Sequence, residues 1–471
     1  MKAKIQPSPE GIAGILSVKG FLFGERRVRA NTHLPAISLF AGGGLSDLGY
    51  ELAGFEFVVQ VEKEKNRATL CAKNFPGAES VVGELERTWK TVVQKYREKR
   101  PGDRLALMSV TPPCQGMSHS NPDRGKRSHS QERDRRNCLI LEALPVIEEL
   151  QPRVVVVENV PQLLTEPNGA FKGGKGQSLV DAFAERLPEY HLFGRVVQMA
   201  DYGVPQDRRR AIVVAVHEDE QWAKRLLSAK VGPWPASTHA QGSSNGLLCW
   251  VTVEEWFKEM GYKQLDARSS GTARDPDDPL HIVSVYEEDY YWRVADIPPY
   301  SGCSAYQNSH CRECGRADVP EGMAMCPYCG AVMHNRPYVV EKDGTVRLIK
   351  GRHSSYRRMR HDEPARTITT ASSHVGSDYK IHPWENRVLS IRECAELQTV
   401  PRFYDWSWAL ETGHTYLVRV VVGEALPPWF TYLQGQLLRQ LLDSEEISED
   451  ALAPFRWARE ALSNDVGLTR G

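Results

Sequence analysis

This chain of 471 residues lacks long apolar runs, a surplus of one charge and the cysteine pattern of a disulfide framework. No stretch approaches the roughly 18 consecutive apolar residues of a membrane-spanning helix, so we expect no membrane segment. The stretch from Gly11 to Gly24 contains Lys19 and no cleavage-like pattern, so we expect no export signal and a cytoplasmic protein. Four of the ten cysteines fall in two close pairs, which fits a reducing compartment and a metal site.

Charge is balanced over the whole chain but not along it. The 59 basic and 60 acidic side chains give a net charge of -1, which by itself does not indicate a nucleic-acid partner. Residues 124–136 nevertheless hold six Lys or Arg against two acids, and Arg352–Arg360 holds four Arg and no acid. An ordinary solvated face is the alternative explanation for each basic run.

A glycine-rich turn follows an early apolar run. Ala36–Phe40 has the composition of a buried strand, Ala41–Gly44 forms the turn, and a helical pattern comes next. A second strand over Phe57–Val61 ends in Glu62, at an offset where an acid can hold the ribose hydroxyls of a nucleoside cofactor. The spacing Gly-x-Gly-x-x-Gly is absent because an aspartate occupies its last position. The pattern therefore favours a cofactor without phosphates over a dinucleotide.

Apolar runs and helical patterns continue to alternate through the first half of the chain. Further strands are predicted at 105–110, 153–157, 194–199 and 211–216, with helices at 138–150 and 178–187. This alternation is typical of an α/β fold with a doubly wound, Rossmann-like sheet. The polar, Arg-rich stretch over 118–137 exceeds the usual loop length of roughly 4–6 residues, and we predict that it is a lid.

Two chemically reactive side chains follow predicted strands directly. Cys114 comes after the strand at 105–110, and Glu158 comes after Val154–Val157. Because open α/β sheets gather substrates at the carboxyl ends of their strands, we expect these side chains to meet there. A cysteine nucleophile beside a glutamate could attack an electron-poor ring and stabilise the charge that forms. A buried structural cysteine and a solvated glutamate are the alternatives when each residue is considered alone.

Six short segments extend this pattern through the chain. They are Phe40-Ala41-Gly42-Gly43-Gly44, Pro112-Pro113-Cys114-Gln115, Glu158-Asn159-Val160, Gln206-Asp207-Arg208-Arg209-Arg210, Arg392-Glu393-Cys394-Ala395-Glu396-Leu397-Gln398 and Gly423-Glu424-Ala425-Leu426-Pro427-Pro428. In this order they resemble the motifs of the cytosine-5 DNA methyltransferase family, which moves a methyl group from S-adenosylmethionine to carbon 5 of cytosine. The resemblance covers most of the chain outside residues 1–33 and a long insertion in the middle.

The resemblance implies catalytic roles for five residues. Cys114 would add to carbon 6 of the base as a thiolate, Glu158 would hydrogen-bond or protonate ring nitrogen 3, and Asn159 would orient Glu158. Arg208 and Arg210 match positions near the base, and Arg210 is the better candidate for its exocyclic oxygen. Solvent-facing charge is the alternative for the two arginines. The target cytosine would swing out of the duplex, and the loop at 118–137 would close over it and contact phosphates.

The resemblance also implies residues that bind cofactor and DNA. The candidates for S-adenosylmethionine are Phe40, Gly42, Gly43, Gly44, Glu62, Glu84, Pro113, Glu424 and Ala425. The candidates for DNA are Gln115, Ser118, Gln206 and Thr367. The chain departs from the family at Glu84, where Asp is common, at Glu424, where Asn is usual, and at Leu45 and Thr111, where glycines are common. These departures bear on cofactor affinity more than on the type of reaction.

Two cysteine pairs lie within the middle insertion. Cys311, Cys314, Cys326 and Cys329 form the pattern C-x2-C-x11-C-x2-C, and a glycine follows each pair. Four thiolates suit a tetrahedral zinc ion with no open position, so we predict structural zinc in a zinc ribbon. Four unrelated reduced cysteines are the alternative. Such a ribbon either braces the recognition surface or touches DNA, and the sequence does not separate the two.

Five parts are predicted along the chain: an N-terminal extension at 1–33, a catalytic domain that binds S-adenosylmethionine at 34–217, a target-recognition domain at 218–365, a return to the catalytic core at 366–442, and a C-terminal extension at 443–471. We interpret the protein as a methyltransferase of double-stranded DNA in the bacterial cytoplasm or nucleoid, with a restriction endonuclease or another phage-defence protein as partner. An RNA cytosine-5 methyltransferase and a catalytically inactive zinc-ribbon DNA-binding protein are the alternatives. The long insertion argues against the first, and the intact Cys114, Glu158 and arginine pair argue against the second.

Overall fold

A computed structural model describes residues 17–26, 33–113, 139–165, 179–242, 246–351, 354–377 and 379–444. The strands of its first half are β1 Leu34–Leu39, β2 Phe55–Glu62, β3 Glu79–Val82, β4 Leu107–Val110, β5 Val154–Asn159, β6 Tyr190–Gln198, the two-residue β7 Gln206–Asp207 and β8 Arg209–His217. All of them except β7 join in one seven-stranded sheet with the order β3-β2-β1-β4-β5-β8-β6. This confirms the predicted α/β class and the predicted strands, to which the structure adds β3.

The direction of the strands differs between the two halves of the sheet. Strands β1 to β5 pair in parallel, whereas β8 is antiparallel to both of its neighbours, β5 and β6. The connection from β6 to β8 spans only residues 199–208, including a single 3-10 turn at Met199–Tyr202. A parallel partner would need a crossover of a dozen or more residues. The sheet is therefore mixed, which the alternation of strands and helices did not indicate.

Helices pack on both faces of this sheet. A helical segment also covers residues 17–22. The labelled helices are α1 Leu45–Leu52, α2 Lys65–Asn74, α3 Leu85–Lys99, α4 Leu144–Leu150, α5 Gln162–Thr165, α6 Leu179–Arg186, α7 Gln221–Ser228, α8 Val253–Met260, α9 Glu288–Ala295, α10 Ile391–Leu397, α11 Ser407–Glu411, α12 Thr415–Glu424 and α13 Pro428–Asp443. The helix predicted from 138 is a 3-10 turn at Leu139–Ala143 that leads into α4. Among the described residues, no helix is both long and apolar enough to cross a membrane.

The run of valines in β5 shows how the sheet separates two cores. Val154 and Val156 belong to the hydrophobic cluster on one face, and Val155 and Val157 belong to the cluster on the other. Successive side chains of a strand point to opposite faces, so an uninterrupted aliphatic run is what a strand covered on both sides requires. The sequence composition of β5 thus places its tip, at Glu158, between two packed layers.

Residues 218–365, called the insertion below, contain little regular structure besides α7, α8 and α9. Its strands are β9 His239–Ala240, β10 Leu248–Cys249, β11 Tyr338–Val340, β12 Val346–Leu348 and β13 Ala365–Arg366. Trp222 of α7 and Trp256 of α8 are buried in the same cluster as one face of the main sheet. A separate cluster, which includes Leu265, Val294 and Ile381, forms the core of the rest. The first part of the insertion therefore packs into the hydrophobic core on one face of the sheet.

Candidate active site

A cleft of about 1920 Å³ lies at the carboxyl ends of the parallel strands. Segments that follow β1, β2, β4 and β5 line it, together with parts of the chain near β8 and α12. Of the residues predicted from sequence, it is lined by Phe40, Gly42, Gly43, Glu62, Glu84, Pro113, Glu158, Asn159, Arg210, Thr367, Glu424 and Ala425. Gly44, Gln206 and Arg208 are not among its lining residues. Strand ends of an α/β sheet thus converge on one concave site.

The glycine turn has a conformation that its residues make possible. Gly42 and Gly44 have φ values of 57° and 79°, in the left-handed region that glycine adopts at little cost. A Cβ on Gly43 would lie 2.4 Å from Val421 on α12, so any larger residue would collide there. The carboxylate of Glu62 accepts hydrogen bonds from the N–H groups of Gly42 and Glu64, both at 2.8 Å. Glu62 therefore fixes the turn against the end of β2.

A buried polar network behind this turn was not predicted from the sequence. Asp47 on α1 accepts hydrogen bonds from the hydroxyl of Ser38 at 2.9 Å and the amide of Gln60 at 2.8 Å. The thiol of Cys71 donates to the other end of the Gln60 amide. Burial raises the pKa of Asp47 to about 7, although both hydrogen bonds oppose the rise. Polar residues inside the two apolar strands β1 and β2 were the available signal, since buried polar groups need partners.

Glu158 at the end of β5 is buried and faces a guanidinium group. Its Oε1 lies 2.9 Å from Nε of Arg210 on β8, and the two side chains are 9% and 13% exposed. Burial raises the pKa of Glu158, while the nearby positive charges of Arg210 and Arg208 oppose the rise. β8 brings these residues together because it runs antiparallel beside β5, pairing Glu158 with Ile212.

The segment that leads to Cys114 is tied to its neighbours. The side-chain amide of Asn159 donates to the carbonyl of Pro112 at 3.2 Å, and the hydroxyl of Thr111 donates to the carbonyl of Phe40 at 3.0 Å. Pro113 lines the cleft, and Cys114 is the next residue in the chain. Cys114, Gln115, Ser118 and the predicted lid at 118–137 lie outside the described residues.

Arg208 and Gln206 lie beneath the cleft. Arg208 is fully buried and donates to the carbonyls of Ile368, Gly423 and Ala425 at 3.1, 3.0 and 2.7 Å. The side chain of Gln206 is fully buried too, donating to Gln398 at 2.6 Å and accepting from the N–H of Ile368 at 2.9 Å. Both side chains hold the closing segments of the chain against β8. These positions support positioning roles for the two residues.

The remaining matched residues frame the edge of the cleft. The hydroxyl of Thr367 donates to the carbonyl of Asp207 at 2.8 Å. Glu84 precedes α3 and lies 3.0 Å from Nζ of Lys63, and Glu424 at the end of α12 pairs with Arg67 at 3.0 Å. Burial raises the pKa of Glu424, and the charge of Arg67 opposes the rise.

The four cysteines of the insertion form a cluster far from the cleft in sequence. The sulfur atoms of Cys311, Cys314, Cys326 and Cys329 all lie within 4.8 Å of one another. The N–H groups of Gly315 and Gly330 donate to the carbonyls of Cys311 and Cys326, and both glycines have φ of 74°. Two equivalent turns thus aim four thiols at one point, which is compatible with tetrahedral zinc.

Comparison with known proteins decides the family. The family model for C-5 cytosine-specific DNA methylase matches residues 34–432. This chain belongs to that family. The methylase is 25% identical over 410 residues to the type II methyltransferase M1.HgaI of Avibacterium volantium, covering 84% of this chain and 95% of that protein. It is 26% identical over 420 residues to the type II methyltransferase M.Eco47II of Escherichia coli, covering 89% of this chain and 82% of that protein.

Solved structures show the same fold. A crystal structure of a DNA modification methyltransferase encoded within a prophage (E. coli) superimposes with a TM-score of 0.52 at 18% identity. It covers 87% of the methylase and 100% of that chain. The fold and family predicted from the sequence are therefore confirmed.

Membership of the family establishes the type of enzyme. The methylase is a DNA (cytosine-5) methyltransferase, its methyl donor is S-adenosylmethionine, and the family implies DNA as the substrate. The alternatives of an RNA enzyme or an inactive binding module are not favoured by these matches.

Proposed function

We propose that the methylase modifies cytosine through a covalent adduct on Cys114, with Glu158 and Arg210 acting on the base. One observation supports this most strongly: Glu158 is buried in the cleft, in contact with Arg210, and the same cleft contains Pro113, the residue before Cys114. An acid, a cation and the approach to a thiol thus converge at the ends of adjacent strands. This is the set of groups that attack on an electron-poor ring needs.

The chemistry assigns a task to each group. The thiolate of Cys114 forms a bond to carbon 6 of the ring, which makes carbon 5 nucleophilic. S-adenosylmethionine supplies an electrophilic methyl group when bound. Carbon 5 would bond to that methyl group as the bond between the methyl group and the cofactor's sulfur breaks, which leaves S-adenosylhomocysteine. Water acting as a base would then take the proton from carbon 5, and the electrons of that C–H bond would form the double bond between carbons 5 and 6 while the sulfur of Cys114 departs with the electron pair of its bond. Asn159, the neighbour of Glu158, holds the main chain at Pro112, two residues before Cys114.

Glu158 suits the role of a proton-sharing group at ring nitrogen 3. Burial favours its neutral form, so the protonated acid persists to higher pH than in an exposed glutamate. A proton held at nitrogen 3 withdraws electrons from carbon 6. Arg210 restrains the pKa of Glu158 and, in the proposal, also contacts the exocyclic oxygen of the base.

The proposed cofactor site is built from candidates that line the cleft. The turn at residues 40–43 carries only the ring of Phe40 and the methyl group of Ala41, while Glu62 and Glu84 contribute carboxylates. Carboxylates suit ribose hydroxyls and would repel phosphates, which agrees with a nucleoside cofactor. The cleft exceeds the roughly 300–1,000 Å³ of common ligand pockets, so a cofactor and an extruded nucleotide fit together. Pro113 and Ala425 would add backbone to this site, whereas Gly44, which does not line the cleft, would act through the shape of the turn.

The insertion is the proposed target-recognition domain, with zinc at its four cysteines. Thr367 closes it at the edge of the cleft, next to the proposed position of the flipped nucleotide. Gln115 and Ser118 remain predicted DNA contacts, whereas the buried Gln206 would act on DNA only by positioning Thr367 and Ile368. Zinc would brace the ribbon without taking part in the reaction.

The biological setting of the methylase is proposed from its relatives. Both relatives described above are type II methyltransferases. We therefore propose that this enzyme protects DNA within a restriction-modification or phage-defence system, with a cognate endonuclease as its partner.

The covalent step can be tested with a duplex that contains 5-fluorocytosine. Because fluorine cannot leave as a proton does, the wild-type enzyme should form a stable protein–DNA adduct that survives denaturing electrophoresis. Cys114→Ser should form no adduct and lose methyl transfer by at least about 10³-fold. Cys249→Ser, at an exposed cysteine outside the cleft, is the matched control. An adduct with Cys114→Ser, or label from the cofactor appearing in RNA and not DNA, would overturn the proposal.

The pH profile tests Glu158 and Arg210. If Glu158 acts while protonated, the rate falls as pH rises through its pKa, and Glu158→Gln should lower the rate about 10² to 10⁴-fold. Arg210→Met removes the charge that lowers the pKa of Glu158. The variant should react more slowly, but its rate should begin to fall only at a higher pH than that of the wild type. A descending limb that moves to lower pH in Arg210→Met would contradict the assignment.

A further inference from the structure

One ion pair in the cleft joins two elements that are distant in sequence. Arg67 on α2 and Glu424 at the end of α12 both line the cleft, and Nη2 of Arg67 lies 3.0 Å from Oε1 of Glu424. Their side chains are 20% and 35% exposed, so both are partly desolvated and still accessible to a ligand. Arg67 was not predicted from the sequence, and Glu424 stands where an uncharged asparagine is usual.

The pair has binding capacity left over. It uses one guanidinium N–H and one carboxylate oxygen, and among the described residues neither side chain makes another hydrogen bond. Arg has five N–H donors in a planar fork that matches a carboxylate, and the second oxygen of Glu424 can accept from an ammonium group. A partly exposed ion pair contributes little to stability by itself. Its place in the wall of the cleft therefore suggests a ligand.

The surrounding charges limit the kind of ligand. The carboxylates of Glu62 and Glu64 lie near enough to raise the pKa of Glu424 by repulsion, after the larger effect of burial. Glu62 already accepts the backbone N–H groups of Gly42 in the glycine turn and of Glu64 after β2. This part of the cleft therefore favours a cationic group, while Arg67 adds one place for an anion. A ligand that carries an ammonium and a carboxylate on the same carbon satisfies both.

We propose that the Arg67–Glu424 pair binds the α-amino acid end of S-adenosylmethionine, with Arg67 on its carboxylate and Glu424 on its ammonium group. This inference rests on the proposed function of the cleft. It makes Arg67 a cofactor-binding residue and explains the departure at Glu424, because an acid can bind an ammonium group while paired with an arginine. The competing view is that the pair only ties α2 to α12.

Binding of two nucleosides separates these views without any turnover. S-adenosylhomocysteine carries the amino acid end, and 5′-methylthioadenosine lacks it but keeps the adenosine and the sulfur. Calorimetric titration of both into the full-length enzyme gives a ratio of affinities for each variant. Arg67→Gln and Glu424→Gln remove one charge each, and Arg67→Lys keeps the charge without the fork. Arg97→Gln and Glu149→Gln break an exposed pair of the same kind on α3 and α4, 2.9 Å apart, as matched controls.

Arg67→Gln and Glu424→Gln should each weaken the binding of S-adenosylhomocysteine about 10- to 100-fold and change the affinity for 5′-methylthioadenosine less than about 3-fold. The affinity of Arg67→Lys for S-adenosylhomocysteine should lie between those of Arg67→Gln and the wild type. Both control variants should bind the two nucleosides as the wild type does. Equal losses for the two nucleosides, or no loss for either, would overturn the inference. The ratio within one variant is independent of its active fraction, so partial misfolding cannot imitate the expected result. If the wild-type enzyme binds neither nucleoside, the proposed cofactor site itself is wrong.

Discussion

The central sheet and the insertion satisfy their main-chain polar groups in different ways. In the sheet, strands such as β5 and β8 pair along their whole length, and aliphatic side chains fill both faces. In the insertion, arginine side chains take over part of this task. Arg336 and Arg358 are fully buried and donate to carbonyls that have no strand partner. A segment with short strands therefore needs buried side-chain donors for its carbonyl groups, whereas a strand inside a sheet needs only its neighbouring strands.

Electrostatics follow the same division. In the cleft at the sheet, a buried carboxyl group, Glu158, has a raised pKa and a nearby cation. In the insertion, burial lowers the pKa of Arg358 to about 10, which leaves it charged at neutral pH. In the first arrangement, burial favours the protonated form of the carboxyl group and the nearby cation opposes it. The second fixes a permanent donor among carbonyl groups.

Loss of the zinc that we propose at the four cysteines should have the largest effect, and it should be confined to the insertion. Cys326→Ser takes one of four thiolates from the cluster, and structural zinc contributes about 10–16 kcal/mol of apparent binding energy in small fingers. We expect loss of stoichiometric metal and rapid proteolysis within residues 308–336, while the sheet keeps its melting temperature. Metal analysis and limited proteolysis measure this. Cys303→Ser lies outside the cluster and should retain the metal; retention by Cys326→Ser would contradict the prediction.

Substitution of a buried arginine should have the second-largest effect. Arg358 donates to the carbonyls of Val294, Ile297, His382 and Glu385 and to the side chain of Asn386. Arg358→Met leaves these acceptors unsatisfied, so the free energy of unfolding should fall by about 3–5 kcal/mol. Urea denaturation measures the change. Arg347→Met, at a half-exposed arginine paired with Glu341, is the control, and an equal change in both variants would refute the idea.

Asp47 gives the sheet a buried polar group of its own, and its effect depends on pH. The pKa of Asp47 is about 7 in the folded protein and 3.8 without burial, so the folded state binds more protons between these values. Stability therefore falls as pH rises through this window. Asp47→Asn keeps partners for Ser38 and Gln60 but removes the titration. Relative to this variant, the wild type should lose up to about 4 kcal/mol on going from acid to mildly alkaline pH. A constant difference in unfolding free energy across the window would contradict the assignment.

The smallest effect is expected at the surface of the insertion. The guanidinium of Arg312 lies 3.3 Å from the ring centre of Trp292 and its Nη1 lies 3.2 Å from Asp296. Arg312→Gln should lower the free energy of unfolding by about 0.5–1 kcal/mol, because the site is partly exposed. Thermal denaturation of the metal-loaded protein measures it. Arg316→Gln is the control, because Arg316 contacts the exposed ring of Tyr328 and pairs with the exposed Asp318 in the same ribbon. A loss of unfolding free energy above about 2 kcal/mol in Arg312→Gln would show that this contact belongs to the core.

Much of the site could be predicted from sequence because its residues follow strong local signals. Apolar runs predicted β1, β2, β4 and β5. The glycines and the acid that follow two of these runs indicated the turn at Gly42 and the position of Glu158 at the edge of the sheet. The spacing of the two cysteine pairs likewise predicted that the four cysteines form a cluster. Asp47 and Arg67 were missed, since each acquires its role from partners on other elements. Arg208 matched a motif near the base, but motif matching does not reveal that its guanidinium is buried under the closing segments.

The amino-acid sequence alone was enough to predict the α/β class, the family and the candidates for the reactive residues, because strand composition and motif spacing act over a few residues. Tertiary structure decided the direction of β8, the contact of Arg210 with Glu158 and the capping of buried carbonyls by arginines. It also decided that α7 and α8 join the core of the sheet. These features depend on which distant elements become neighbours, and that is set by packing and by the pairing of buried polar groups across the whole chain.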